Sequence, residues 1–386
     1  MTKDAREIPV VFPKLRETTR AYCGPWNYIQ GPGEFDNIEK YTSKYSKNVY
    51  ILIDSFLYDS LGERIKQAYA QTDSKYLLDK FGGECCRTEI TRVMAGIKKC
   101  GATLAVAVGG GKTLDTVKTA AVDSGINYFI VPTSAANDAP VSSLAVIYTD
   151  EGYHEGGRSF ETGSTMVLVD SEIIAKAPRR LIISGIGDAL STYFEARAVE
   201  HSNTQNLVGE GYRCCKVGLA IAKLSYEILL ADGVKALQAL DRGIISEAVE
   251  NIIEANSLMS GLGFQNTNCS IAHAVNAGLT EIPEASSYLH GERVAFGVLC
   301  QLMFENSSME EINTVLKFMT DVGLPVTLKQ VGVEPRMDTI MKMADKMVYR
   351  NKTSHTQTGV INLDTIAACI MAADAMGTAY LAKSKS

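Results

Sequence analysis

The chain has 386 residues, 46% hydrophobic and 21% charged, enough for two ordinary domains with sizeable cores. Its formal net charge is −6 with no basic run or stripe, which argues against nucleic acid or an anionic membrane surface as partner. The N-terminal stretch mixes Asp4, Glu7 and Glu17 with basic residues and has no apolar centre, so neither a secretory signal nor a transit peptide is expected there. No run reaches roughly 18 uncharged apolar residues, so no membrane-spanning helix is expected. The nine cysteines include two vicinal pairs, Cys85 with Cys86 and Cys214 with Cys215, but no C-x-x-C spacing. They read as reduced thiols of a cytoplasmic protein.

In chain order, residues 49–54 (VYILID) read as a buried strand and 61–71 as a helix. A second strand is expected over 75–81, a helix over 87–100, and a third strand over 104–108 (LAVAV). That strand runs into Gly109, Gly110 and Gly111, followed by a helix over 113–122 and a strand over 128–131. The alternation predicts a parallel sheet covered on both faces. Residues 144–148 and 166–169 read as further strands, paired as a hairpin around the turn at Asp150, Glu151 and Gly152. Beyond Pro178 the strand runs stop. Segments such as 207–231 and 246–262 carry apolar residues at helical spacing, so the second half reads as all-helical. The expected division is residues 1–178, an α/β domain, and 179–386, a helical domain.

Gly109, Gly110, Gly111 and Lys112 sit between a strand and a helix, where unpaired N–H groups and the positive helix end suit a pyrophosphate. The pattern is neither a P-loop nor G-x-G-x-x-G, and such a turn also serves only to reverse the chain. Asp54 ends the first strand; there it can accept from ribose hydroxyls and disfavour a 2′-phosphate, or simply open a turn. The loop from Pro132 to Pro140 (PTSAANDAP) offers small and hydroxylated side chains at another strand end. Its Asp138 can face a polar substrate or form an Asx turn before Pro140. In the helical half, Asp188, His273 and His290 can converge on one ion with an open position, the pattern of a catalytic zinc. Their spacing matches no compact metal motif, and a helix cap plus isolated histidines is the commoner explanation of such residues.

Four longer motifs go further. GGGKTLDTVK (109–118), PTSAANDAPVSSLAVIYTDEG (132–152), GIGDALSTYFEARA (185–198) and HGERVAFG (290–297) resemble the glycerol dehydrogenases. These are a branch of the iron-containing, or group III, alcohol dehydrogenase superfamily. Shorter echoes, FGGEC (81–85) and IEANSLMSGLGF (253–264), extend the resemblance over most of the chain. It implies a Rossmann-like N-terminal domain, an all-α C-terminal domain of the architecture shared with dehydroquinate synthase, and a cleft between them. It implies NAD contacts at Asp54, Gly110, Gly111, Lys112, Thr113, Asp115, Thr133, Ser134, Ser142, Leu144 and Tyr148. Asp138 matches the residue that faces glycerol, and Asp188, His273 and His290 match the ligands of a catalytic zinc. Four-ligand iron relatives carry a further histidine where this chain has Thr192, which favours the three-ligand zinc version. Many relatives read His-Ala-x-His-Asn after the first metal histidine, whereas this chain has His273-Ala274-Val275-Asn276-Ala277.

The activity so implied is NAD-dependent oxidation of glycerol to dihydroxyacetone by zinc-assisted hydride transfer, in a homo-oligomer that can reach an octamer. Rival readings are a dehydrogenase of another 1,2-diol, a hydroxy ketone or glycerol 1-phosphate, a dehydroquinate synthase-like lyase that uses NAD transiently, and a non-catalytic scaffold. The lyase needs a cationic cluster for a phosphorylated substrate, for which Arg179, Arg180 and Arg293 are the candidates.

Overall fold

A computed structural model describes residues 18–351 and 353–383; most of the stretch read for a targeting signal lies outside the described residues. The strands are β1 (Tyr28–Gly31), β2 (Asn48–Ile53), β3 (Lys75–Lys80), β4 (Leu104–Gly109), β5 (Asn127–Pro132), β6 (Leu144–Tyr148), β7 (His154–Ser159) and β8 (Met166–Asp170). Six of them form a parallel sheet in the order β1-β8-β5-β4-β2-β3. Between the strands lie α1 (Ile38–Thr42), α2 (Tyr58–Tyr69), α3 (Arg87–Cys100) and α4 (Gly111–Ser124), with α5 (Ser171–Lys176) after the last.

The period-2 geometry of a strand sorts the sheet's side chains onto its two faces. Val49, Ile51, Ile53, Val106, Val108 and Phe129 enter one core. Tyr50, Leu52, Ala105, Ala107, Tyr128 and Ile130 enter the other. Burial on both faces is why these strands read as continuous apolar runs. The second core does not stop at the sheet: it continues through Ile186, Phe194, Ile252, Val275 and Phe296 of the helical half.

That half contains α6 (Arg179–Ser202), α7 (Lys216–Leu240), α8 (Glu247–Glu254), α9 (Ser260–Asn266), α10 (Ile271–Leu279), α11 (His290–Phe304), α12 (Met309–Val322), α13 (Met337–Asp345) and α14 (Leu363–Lys383). α14 is long and apolar enough to cross a membrane by length and composition alone. Here its Asp374 accepts from Leu328 N at 2.8 Å, and it packs against α11 and α13.

Three expectations are corrected. β6 pairs antiparallel with β7, not with residues 166–169, although the turn falls where expected. β7 reads HEGGRS, too polar and glycine-rich to show as a strand in the sequence, while the fully buried β8 joins the parallel sheet between β1 and β5. The helix expected from residue 207 starts at Lys216. Asn206 Oδ1 instead accepts from Val208 N and Tyr212 N, folding the intervening residues into a loop. The helix expected over 246–262 is interrupted by a π-helical turn, Ala255–Met259. That turn aims Asn256 so that its Nδ2 donates to Ala135 O and Ile182 O, both at 3.1 Å.

The glycines of GIGD and HGE let backbones meet. A Cβ on Gly185 would lie 1.9 Å from Ala135 O, and one on Gly291 would lie 1.8 Å from Ser184 O. Gly291→Ala is therefore expected to lower unfolding stability by roughly 3 kcal/mol, because main chain must move. Gly156→Ala, with nothing within 4 Å of the new Cβ, is expected to stay within about 0.5 kcal/mol. Urea denaturation of both variants checks this; equal losses would refute the steric account.

Candidate cofactor and metal site

In the sheet order, β2 and β4 are neighbours whose connections leave in opposite directions, to β3 and to β5. Ligands of open α/β sheets collect at the carboxyl ends of strands beside such a reversal. β2 ends at Ile53, and Asp54 N donates to Val108 O at 2.8 Å, which sets Asp54 beside the glycines that follow β4. α4 begins at Gly111 with Gly110 as its cap residue, so the helix N-terminus opens at this crevice. A Cβ on Gly109 would lie 2.7 Å from Thr113 Oγ1 and 3.1 Å from Asp54 Cβ, so the turn closes only around glycine. Thr113 Oγ1 is buried with no hydrogen-bond partner among the described residues.

The remaining candidates lie on the segments that follow β4 and β5 and on β6. Thr133 N donates to Gly109 O at 3.1 Å, which brings the start of the 132–140 loop, with Ser134, against the glycine turn. Lys112 Nζ lies 2.5 Å from Glu84 Oε2 and 4.8 Å from the centre of the Tyr148 ring. Ser142 is buried, its N–H donating to Asp138 O at 3.4 Å. Asp115 spends both carboxylate oxygens on protein: Oδ1 accepts from Lys118 Nζ at 3.0 Å, and Oδ2 from Val146 N at 2.9 Å. Among the expected contacts it therefore acts on the loop and on β6.

Lys118 was not singled out in the sequence. It is 1% exposed, and its ammonium donates to Asp115, Ala139 O (2.6 Å) and Leu144 O (3.0 Å). Three donors with three acceptors satisfy the buried charge and pin both ends of the loop that carries Asp138 and Ser142.

The structure brings Asp188, His273 and His290 together from α6, α10 and α11. Asp188 is 1% exposed; its Oδ1 lies 3.2 Å from His290 Nε2 and 3.5 Å from His273 Nε2. Yet that oxygen has no hydrogen-bond partner among the described residues. Its other oxygen accepts from Asp138 N at 3.2 Å. A buried carboxylate oxygen without a donor, facing two imidazole nitrogens, fits a cation. Ligand atoms about 2.0–2.2 Å from a tetrahedral zinc lie some 3.3 Å apart, near the separations seen here.

Glu195 completes the arrangement. It sits two turns beyond Asp188 on α6, and its Oε1 accepts from Ser270 N (2.7 Å) and His273 N (2.9 Å). Oε2 accepts from His273 Nδ1 at 2.6 Å, an arrangement in which a neutral, metal-binding His273 turns its Nε2 lone pair toward Asp188. The signal was present in the sequence as a carboxylate seven residues after Asp188, on the same helix face. Glu195→Gln is expected to weaken metal binding about 10–100-fold with little change in cofactor affinity. Competitive chelation titrations check this; unchanged metal affinity would remove Glu195 from the site.

The electrostatics also call for positive charge. Burial alone would raise the Asp188 carboxyl, but His290 and His273 outweigh it and hold it well below the carboxylate range. Burial opposes a charged His273, yet Cys269, Glu195 and Asp188 together raise it well above the usual imidazole value. Asp138 is pushed up to about 8 by burial and then by the Asp188 charge. Thr192, one turn after Asp188, turns its hydroxyl to Ser260 Oγ at 2.9 Å.

Residues 25–171 match the family model for iron-containing alcohol dehydrogenases. A glycerol dehydrogenase of Citrobacter freundii is 38% identical over 93% of this chain and 98% of its own length. A crystal structure described as a probable glycerol dehydrogenase from Sinorhizobium meliloti 1021 superposes with TM-score 0.87 at 41% identity, covering 93% of this chain and 99% of that one. The Schizosaccharomyces pombe glycerol dehydrogenase gives 0.89 at 30% identity, covering 96% and 94%. The chain belongs to the iron-containing alcohol dehydrogenase family. All three of these full-length relatives carry the name glycerol dehydrogenase.

Proposed function

We propose that this chain is an NAD-dependent glycerol dehydrogenase: glycerol and NAD+ give dihydroxyacetone, NADH and a proton. The convergence of Asp188, His273 and His290 on one point beside the β2/β4 crevice carries the reading. Identity with proteins of that name over nearly the whole chain supports it. The working division is an NAD-binding unit over 1–178 and a metal-binding unit over 179–386.

Asp54, Gly110, Gly111, Lys112, Thr113, Thr133, Ser134, Ser142, Leu144 and Tyr148 are proposed to hold the dinucleotide, with Asp115 and Lys118 keeping the loop in place. Asp54 at the end of β2 favours NAD over its 2′-phosphorylated form. Asp188, His273 and His290 would hold the metal, for which we favour zinc, because Thr192 is engaged with Ser260 and leaves three ligands and an open position. Bound there, a divalent cation supplies Lewis acidity toward a substrate hydroxyl, while NAD supplies the hydride acceptor.

The chain's own residues do the rest. Glu195 orients His273. Asp138, its carboxyl raised toward neutrality, is placed to exchange a proton with a polyol hydroxyl. On α10, His273, Asn276 and Ala277 are the residues left unburied, and Asn276 Oδ1 lacks a partner among the described residues. It is the acceptor for a second substrate hydroxyl. A lyase handling a phosphorylated substrate would need a cationic cluster, but Arg179 pairs with Asp241 and Arg180 with Glu292, which leaves Arg293 as a single cation and not a cluster.

A homo-oligomer, up to the octamer, is proposed as well, covering exposed apolar side chains such as Trp26 and Phe56. Nine free thiols suit the cytoplasm. The test follows NADH absorbance with glycerol before and after chelation, restoring zinc or ferrous iron in parallel. Turnover restored by zinc is expected. Restoration by iron alone would overturn zinc, and NADH from a 1,2-diol but not glycerol would overturn the substrate.

A further inference from the structure

Arg293 is a half-buried cation with no ion-pair partner among the described residues. Over residues 290–302 of α11 every position is buried except His290 and Arg293, one turn apart on the same face. Tyr148 of β6 is close enough to act electrostatically on the guanidinium. Arg293 Nε is buried and makes no hydrogen bond, and no ion pair reaches the guanidinium among the described residues.

The carboxylate next in sequence cannot serve. Glu292 is clamped by Arg180, Nε to Oε1 and Nη2 to Oε2, both at 2.6 Å, and its Oε2 also accepts from Leu289 N at 2.7 Å. Burial therefore pushes the Arg293 guanidinium below its usual value, with Tyr148 and Glu292 only partly offsetting it. A half-buried guanidinium whose Nε is shut off from water with no acceptor is suited to an anionic partner that arrives from outside. A guanidinium, planar and able to donate twice in parallel, suits a phosphate group above other anions. Lys112, at the N-terminal end of α4, lies 4.8 Å from the centre of the same Tyr148 ring.

We propose that Arg293 is a cofactor-binding residue supplied by the helical half, donating to the diphosphate bridge of the dinucleotide opposite Lys112 and the α4 N-terminus. This rests on the dehydrogenase reading above. Arg293 ties a cofactor bound on the sheet to the helix that presents His290. Occupancy of the dinucleotide site and the geometry of the metal site are thereby linked through one turn of α11.

The test measures NADH, ADP-ribose and adenosine binding to the zinc-loaded protein by calorimetry, for wild type, Arg293→Gln and Arg293→Lys. Arg293→Gln is expected to weaken NADH and ADP-ribose about 10–100-fold, the range for a charge-assisted bond, and to leave adenosine unchanged. Arg293→Lys is expected to recover part of the loss, and the salt dependence of NADH binding should flatten in Arg293→Gln. If Arg293→Gln unfolds, Arg293→Lys decides, since it keeps the charge and loses the planar fork. Unchanged NADH and ADP-ribose affinities in a folded variant overturn the proposal. So does a loss confined to the KM for glycerol, which would make Arg293 a substrate residue. Failure of the wild-type protein to bind NADH would instead strike down the dehydrogenase reading itself.

Discussion

Asp188→Asn is expected to lower glycerol-dependent NADH formation by at least about 10³-fold and to leave the purified protein without bound metal. Loss of an outer partner of a metal ligand already costs about 10–100-fold, and Asp188 faces both imidazoles directly. The substitution is isosteric, and the Asn carbonyl can still accept from Asp138 N, so the chain should fold. What disappears is the negative charge on the Asp188 oxygen that has no donor among the described residues. Metal analysis and initial rates at saturating NAD check this, with thermal unfolding as the control for folding. A variant that retains stoichiometric metal and normal turnover would sink the assignment of the site. Chelation of the wild-type protein should lower its unfolding temperature as well, since a ligand held at 100 times its Kd stabilises by about 2.7 kcal/mol. Asp188→Asn should show no such shift.

Lys118→Met should cost about 3–5 kcal/mol of stability, the penalty for removing one member of a buried ion pair. It strands the Asp115 carboxylate, whose pKa burial already raises against the pull of Lys118, and it orphans Ala139 O and Leu144 O. The double variant Lys118→Met with Asp115→Leu should lose less than Lys118→Met alone, because no unpaired charge then remains. Since the lysine pins the loop bearing Asp138 and Ser142, the single variant should also raise the KM for NAD. Chemical denaturation of the cycle tests the energetics. A double variant less stable than the single one would mean that Lys118 acts by packing and not by charge.

Both residues show where sequence reasoning stops. Lys118 lies in a helix whose charged side chains would ordinarily face water, and only the return of the 139–144 segment over α4 turns it inward. Glu195 was visible as a carboxylate two turns from Asp188, but its role needs the start of α10 to arrive against it. The elements themselves were easier. Parallel strands buried on both faces are continuous apolar runs, so β2, β4 and β5 stand out, and α3 spans the residues expected. β7 and the π-helical turn did not stand out, because a polar hairpin edge and a one-residue helical insertion leave no hydrophobic period to read.

The sequence by itself determined the alternation of strands and helices, the glycine turn after β4, the carboxylate after β2 and the presence of an Asp and two His in a helical half. These follow from local propensity and period, which neighbours in the chain largely dictate. Only the tertiary structure decided that Asp188, His273 and His290 meet, that Lys118 is a buried strut, and that Arg293 Nε has no acceptor among the described residues. Each of those is a matter of which backbone carbonyl or carboxylate from elsewhere in the chain comes within 3–4 Å. That closeness depends on Gly185 and Gly291 allowing main chains to touch, a contact between residues 135, 184 and 291 that no local pattern encodes.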